Sequence, residues 1–372
     1  MKKSLALIFA FCILVSACQS ASSSSTARPG AVSLTEAANV PGALTNIPMP
    51  IGYGVSGSWF ELYFTDPADP ASKQESGGVD EPLITSLDSA RVSIDMAAYS
   101  FNLWDVESAL IRARRRGIKV RLVMESDNMG GDVPQALMTA GIPILGDGLP
   151  GLMHDKFVVI DRAEVWTGSM NFTESGTYQD NNNLMHIRSA EVAQLYEAEF
   201  NEMFTDHKFG PNVLPAAPHP SMTVDGTPLH IYFSPDNHVQ SALLDLLNNA
   251  RSSIYFLAYS FTATPLADAI QQRAAAGVKV SGVMESEQVN FNAGKVYVGF
   301  RKAGLDVHLD GNPGLMHHKV MIIDGRIVVL GSYNFTASAE TKNDENLMVI
   351  NNPDIAAQFT REFQQVYALA QP

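Results

Sequence analysis

Gly314-Leu315-Met316-His317-His318-Lys319-Val320-Met321-Ile322-Ile323-Asp324, followed by Gly331-Ser332-Tyr333-Asn334-Phe335-Thr336, is the stretch from which the rest of the chain can be read. It occurs twice. The earlier copy is Gly151-Leu152-Met153-His154-Asp155-Lys156-Phe157-Val158-Val159-Ile160-Asp161, then Gly168-Ser169-Met170-Asn171-Phe172-Thr173. The two histidines, His154 and His317, and the two asparagines, Asn171 and Asn334, are each 163 positions apart. The runs after Lys156 and Lys319 are apolar, rich in β-branched residues and bounded by turns, which predicts buried strands. Strand side chains alternate between faces, so His154 shares a face with Lys156, and His317 with Lys319. An imidazole and an ammonium aimed the same way suit a phosphate: the ammonium neutralises oxygens while the imidazole attacks phosphorus or moves a proton. Asp161 and Asp324 lie an odd number of positions away and should face elsewhere. Asp324-Gly325 is a hairpin-turn signal, and on this reading both aspartates are mainly structural.

Each copy reads H-x-K-x4-D followed by G-S-x-N. In this the chain resembles the phospholipase D superfamily of phosphodiesterases, whose members need two such motifs per active site. The resemblance covers nearly the whole chain beyond its leader. It implies one site, formed across a pseudo-two-fold axis, that works without a metal or other cofactor. One histidine would form a phosphohistidine; the other would protonate the leaving group and then activate water. Lys156, Lys319, Asn171 and Asn334 would hold the non-bridging oxygens, supported by Ser169 and Ser332. Asp161 and Asp324 enter the catalytic set as members of the motif. A single H-x-K is ordinarily part of a plain hairpin; two in-register copies, each with its G-S-x-N, argue against that.

The copies differ at one informative place. Asn343-Asp344-Glu345-Asn346-Leu347-Met348 aligns with Asp180-Asn181-Asn182-Asn183-Leu184-Met185, so Glu345 matches Asn182. In small nucleases of this superfamily a glutamate here hydrogen-bonds the catalytic histidine, which adds Glu345 to the catalytic residues. A carboxylate favours the imidazolium and a neutral amide does not. The expectation is therefore that Glu345 keeps His317 protonated as the acid. Asn182 would leave His154 neutral as the nucleophile.

The length of 372 residues suits about two domains of ~100–200 residues each, and a 46% apolar fraction is ample for packed cores. A repeated β-α order predicts an α/β fold: two tandem phospholipase D-like repeats, each a mixed sheet flanked by helices, packed as a pseudo-dimer with one site at their interface. The expected divisions are a leader (1–17), a flexible tether (18–57) rich in Ser, Ala, Pro and Gly, a first domain (58–207, motif region 148–175), a Pro-rich linker (208–228) and a second domain (229–370, motif region 311–338). The second copy carries three extra residues, expected as a loop over about 286–294. Both motifs lie in one chain, so a monomer is expected.

Met1-Lys2-Lys3 and the apolar run that follows, too short to span a membrane, read as a secretory signal peptide. Val15-Ser16-Ala17-Cys18 looks like a bacterial lipoprotein signal, which implies lipidation at Cys18 and an extracytoplasmic, membrane-anchored protein. Gln19 after the cysteine would favour the outer membrane in a diderm cell, at its periplasmic or outer surface. With Cys12 lost and Cys18 acylated, neither a disulfide nor a cysteine metal site is expected. The formal net charge is −14, which does not suit non-specific nucleic-acid binding.

Other candidates read as background. His318 and Asp155 fall on the opposite strand face. Glu125 and Glu285 end equivalent strands and could line the cleft or lie exposed. Arg112, Arg114, Arg115 and Arg116 form a basic helix cluster, more in keeping with a solvated face than a head-group contact. The expected function is a phospholipase D that hydrolyses phospholipid to phosphatidic acid and a head-group alcohol. The alternatives are an endonuclease of the same superfamily, a cardiolipin-synthase-like phosphatidyltransferase, and a lipoprotein that merely binds phosphate groups. Nucleic acid is a partner under the nuclease alternative alone.

Overall fold

The apolar runs of each repeat line up side by side in a mixed sheet of their own. The structure is a computed structural model that describes residues 44–212 and 221–371. The expected leader, the acylation site Cys18 and the first part of the tether lie outside the described residues.

The first repeat runs β1 (Thr45–Ile47), β2 (Tyr53–Ser56), β3 (Phe60–Phe64), α1 (Asp80–Ser89), β4 (Ser93–Ala98), α2 (Trp104–Arg115), β5 (Lys119–Met124), α3 (Asp132–Thr139), β6 (Ile144–Gly146), β7 (Lys156–Ile160), β8 (Glu164–Gly168), α4 (Glu174–Tyr178), β9 (Asn183–Arg188) and α5 (Ala190–Phe204). The second runs β10 (Met222–Val224), β11 (Thr227–Ser234), α6 (Val239–Asn248), β12 (Ser253–Ala258), α7 (Thr264–Ala275), β13 (Lys279–Met284), α8 (Ser286–Gln288), α9 (Gly294–Lys302), β14 (Asp306–Leu309), β15 (Lys319–Ile323), β16 (Ile327–Gly331), α10 (Ala337–Thr341), β17 (Glu345–Asn351) and α11 (Pro353–Leu369). The sheet orders are β1-β2-β3-β9-β8-β7-β4-β5-β6 and β10-β11-β17-β16-β15-β12-β13-β14. From β3 and β11 onward the two orders are the same, as the repeat predicts.

Register explains the site's location. β7 runs antiparallel to β4 with Lys156 opposite Ala98, and β15 antiparallel to β12 with Lys319 opposite Ala258. Each H-x-K therefore lies where β4 or β12 ends. The turn at the other end of β7 has Asp161 and Arg162 at φ 54° and 59°; that of β15 has Asp324 and Gly325 at 53° and 62°. Both central residues are left-handed, as a tight hairpin requires.

One face of each sheet packs on a core shared by both repeats. Tyr196 and Phe200 of α5 and Phe359 and Phe363 of α11 lie in it, with Phe157, Val159, Val320 and Ile322 of the motif strands. The outer faces are covered separately, by α1 to α3 in the first repeat and by α6, α7 and α9 in the second. α5 and α11 begin under side-chain caps, Ser189 and Asn352, whose oxygens accept N–H groups of the first turn.

Three expected boundaries change. Residues 44–56, expected as the end of the tether, include β1 and β2, which extend the first sheet by antiparallel pairing onto β3. The linker is shorter than expected, because β10 pairs with β11 from Met222 onward. The loop over 286–294 is helical: α8 passes through a π-turn at 289–293 into α9. No helix among the described residues is long and apolar enough to cross a membrane.

Candidate active site

The two motifs clasp each other. The His154 N–H donates to the Asp344 carbonyl (2.9 Å) and the Asp344 N–H to that of Leu152 (2.9 Å). The symmetric pair joins His317 to Asn181 (3.0 Å) and Asn181 to Leu315 (2.8 Å). Glycine opens this approach: a Cβ on Gly151 would lie 2.2 Å from the Lys342 carbonyl oxygen, and one on Gly314 2.1 Å from that of Gln179. The segment preceding β17 thus belongs to the motif of the first repeat, and the segment preceding β9 to that of the second.

This exchange corrects the expected pairing. Glu345, expected beside His317, holds His154 instead: its Oε2 lies 2.7 Å from Nδ1. Asn182, expected beside His154, holds His317, with Oδ1 3.0 Å from Nδ1. Alignment of the repeats finds equivalent positions but is blind to a partner supplied across the two-fold axis.

The orientation of Asn182 fixes the state of His317. Its Nδ2 donates to the Gly176 carbonyl (2.8 Å) and its Oδ1 accepts the Ser169 hydroxyl (2.8 Å). The oxygen therefore faces His317, and Nδ1 must carry the proton. That leaves the Nε2 lone pair free. Burial and the charges of Lys319, Lys156 and His154 push this imidazole well below the usual histidine range.

His154 has a different neighbour. Burial, with Lys156 and Lys319, opposes its charge, and burial also lifts the Glu345 carboxyl to about 7. Their 2.7 Å contact lets carboxyl and imidazole share the proton at Nδ1. Asn343 Nδ2 donates to the other carboxylate oxygen at 3.1 Å.

The lysines are fully buried side chains. Lys156 Nζ donates to the His154 carbonyl (2.5 Å) and Lys319 Nζ to that of His317 (2.8 Å). They lie 5.0 and 4.5 Å from the ring centroids of Tyr99 and Tyr259. The same two rings meet His154 and His317 edge-on, at 4.8 and 4.6 Å. Burial pushes Lys156 down to about 7 and Lys319 well below its usual range. Both tyrosines escaped the sequence reading as site residues, although each ends an aligned strand run.

Asn171 and Asn334 are half-buried, and the side-chain oxygen of each is buried without a hydrogen-bond partner. Ser169 and Ser332, expected to help hold phosphate, are fully buried in the layer beneath. Ser169 supports Asn182 and accepts the Asn183 N–H (3.1 Å), and Ser332 accepts the Asn346 N–H (3.0 Å). They position the histidine partners rather than reach for a substrate.

Asp161 and Asp324, carried in the catalytic set, do not reach the site; each lies five positions along the strand from its lysine, roughly 16 Å. Asp161 accepts the N–H groups of Arg91, Val92 and Ser93, and Asp324 those of Arg251, Ser252 and Ser253, all at 2.7–3.1 Å. They fasten the entry of β4 and β12.

His318 and Asp155 face away from the site, as alternation predicts, and form a layer behind it. His318 sits between Asn183 Nδ2 (2.9 Å) and Glu362 (3.0 Å). Asp155 accepts from Asn346 Nδ2 (2.7 Å), and burial lifts its carboxyl to about 7. Glu125 and Glu285 are buried rather than exposed and accept backbone N–H groups, Met153 and Asp127 for the first, Glu287 and Gln288 for the second. Arg112 and Arg116 are tied to Asp88 at the far end of α2 from the site. Among the described residues no group of three or more His, Cys, Asp or Glu is placed to hold a metal ion.

Residues 83–204 and 243–367 match the family described as "Cardiolipin synthase, PLD-like domain", more than half of the chain. The chain belongs to that family, within the phospholipase D superfamily. It is 33% identical over 138 residues to the mitochondrial cardiolipin hydrolase of Homo sapiens, a match covering 36% of this chain and 54% of that protein. It is 31% identical over 131 residues to a phospholipase D of Rickettsia bellii, covering 35% of this chain and 65% of that one. The chain thus spans less than two thirds of the length of either relative. The structure of phosphatidylserine synthase from Haemophilus influenzae superposes with a TM-score of 0.64 at 14% identity, over 83% of this chain and 87% of that one, a likeness of fold.

Proposed function

We propose that this chain is a phosphodiesterase that hydrolyses phospholipid to phosphatidic acid and a head-group alcohol. The observation that carries this reading is the meeting of two buried histidines with unlike Nδ1 partners, a carboxylate on His154 and an amide on His317. His317 Nε2 attacks phosphorus. The bond from phosphorus to the head-group oxygen breaks and the Nε2 proton of His154 passes to that oxygen, while the proton shared with Glu345 settles on Nδ1, so the alcohol leaves. Water then attacks the phosphohistidine and gives its proton back to His154. The phosphorus–nitrogen bond breaks, phosphatidic acid departs and both imidazoles are restored. Lys156, Lys319, Asn171 and Asn334 oppose the charge on the non-bridging oxygens in a buried setting where such contacts are strong. These roles for the two histidines reverse the expectation drawn from the aligned repeats.

The lipid reading is supported by the names of the two relatives and by the net charge of −14, which disfavours a polyanion. An anchor at Cys18 would hold the chain at a membrane surface as an extracytoplasmic monomer. The test offers the full chain, in EDTA, mixed phospholipid vesicles and single-stranded DNA in parallel, with His154→Ala and His317→Ala as controls. Head-group release that both substitutions abolish is the expected result. DNA cleavage with lipid untouched would make the chain a nuclease. Transfer to an added alcohol without hydrolysis would make it a phosphatidyltransferase.

A further inference from the structure

Six of the loops around the site combine acidic charge with exposed aromatic side chains. They follow the ends of β4, β5, β8, β12, β13 and β16 and comprise residues 99–105, 125–132, 171–174, 259–264, 285–293 and 334–336. These six contain no lysine or arginine; the segment before β17, which packs on the first motif at Gly151, carries the exposed Lys342. Asp105, Asp127, Asp132 and Glu287 among them are exposed. Two large aromatic side chains also stand in solvent there: Trp104 is 51% exposed and Phe291 83%. Trp104 lies five residues after Tyr99, whose ring meets His154. Phe291 lies three residues after Gln288, whose side-chain amide donates to the Tyr259 hydroxyl (3.2 Å), and Tyr259 meets His317. One aromatic thus stands on each side of the pseudo-two-fold axis, and Phe291 belongs to the π-turn insert that the second repeat alone carries.

We propose that this mouth seats on a surface of zwitterionic phospholipid, with Trp104 and Phe291 entering the interface and the acidic rim facing the ammonium groups of the head groups; this rests on the phospholipid reading of the site. Exposed aromatic side chains gain by leaving water for the interfacial layer, where tryptophan is enriched. Attraction to anionic lipid or to nucleic acid is carried by lysine and arginine, which these loops lack. Acidic groups beside aromatic rings instead suit a cationic head group, through charge and through the ring faces. The rim therefore selects a leaving group that carries an ammonium over one that carries further phosphate.

The test uses the full chain carrying Cys18→Ser, so that acylation does not itself hold it on lipid. Binding is measured by co-sedimentation with phosphatidylcholine vesicles, alone and with a rising fraction of phosphatidylglycerol. Turnover is measured on the same vesicles and on a short-chain phosphatidylcholine below its micelle concentration. Trp104→Ala with Phe291→Ala is expected to weaken vesicle binding by roughly tenfold or more and to lower the ratio of vesicle to monomer turnover. Added phosphatidylglycerol is expected to weaken binding of the parent chain, and Asp127→Lys with Glu287→Lys to reverse that dependence. Tighter binding of the parent chain to anionic vesicles, or an unchanged turnover ratio in the aromatic variant, would overturn the proposal. Vesicle binding that the aromatic variant loses, with no turnover of any diester, would uphold the docking surface and remove the proposed activity.

Discussion

Glu345 belongs to the second repeat, yet its carboxylate lies 2.7 Å from Nδ1 of His154 in the first. Asn182 stands in the same relation to His317, from the first repeat to the second. The exchange makes each half of the site incomplete without the other. It also makes the two histidines chemically unlike, because a carboxylate can share a proton with its imidazole and an amide oxygen can only accept one hydrogen bond from it.

The first consequence concerns which histidine becomes phosphorylated. An activated diester with a good leaving group needs little help from an acid, so His317 can still attack it in His154→Ala. That variant lacks the group that activates water, and the covalent adduct should accumulate. Mass spectrometry of a quenched reaction is expected to find the adduct on His317. An adduct on His154 in the His317→Ala chain, with none in His154→Ala, would exchange the two roles.

Glu345→Gln removes the carboxylate that shares a proton with His154. Loss of general-acid assistance typically costs about 10²–10⁴-fold. The loss should fall on substrates with an alkyl alcohol leaving group and be much smaller for a nitrophenyl ester, which leaves unprotonated. Equal losses on both substrates would mean that Glu345 serves the structure of the site rather than its acid.

Asp324 serves the fold alone. Burial opposes its charge, but the N–H groups of Ser252, Ser253 and Arg251 outweigh that and hold its carboxyl below the usual range. Asp324→Ala should cost about 1–2 kcal/mol of stability, toward the low end because water competes at a partly exposed site. A depressed folded value means the contribution is present above the unfolded value, near 3.9, and disappears as pH falls through the folded one. The Tm gap to the parent chain should therefore be full at pH 6 and close below about pH 4. Activity at a temperature where the variant stays folded should persist; its loss there would restore a catalytic role.

Much of this was legible in the sequence because a repeat doubles every observation. A constant spacing of 163 residues placed His154 with His317 and Asn171 with Asn334, and strand alternation put each lysine beside its histidine. The same alternation removed His318 and Asp155 from the site. What stayed hidden depends on how the halves meet. Nothing local to Glu345 says that its partner is 191 positions away, in the other repeat. Tyr99 and Tyr259 end ordinary apolar strands and gain their role from the histidine and lysine that pack on them. Proline and glycine between residues 44 and 58 masked a short hairpin that pairs onto β3. The insert at 286–294 looked like a loop because its helical turns are short and its largest apolar residue, Phe291, faces solvent.

The buried lysines carry the last prediction. Burial brings Lys156 down to about 7, and Lys319 and both histidines are lowered with it. An oxyanion placed against these groups supplies the opposite charge and raises their values again. Sulfate is a suitable probe because it does not itself titrate between pH 6 and 8. Its binding at pH 8 should take up about one proton, seen as a heat that depends on the ionisation enthalpy of the buffer. Proton uptake fixes the sign of the pH dependence: affinity rises as pH falls from 8 to 6, and uptake shrinks once Lys156 is already charged. Lys156→Met should weaken binding and flatten both trends. A heat independent of buffer, with affinity constant across this range, would show that the lysines are charged before the anion arrives.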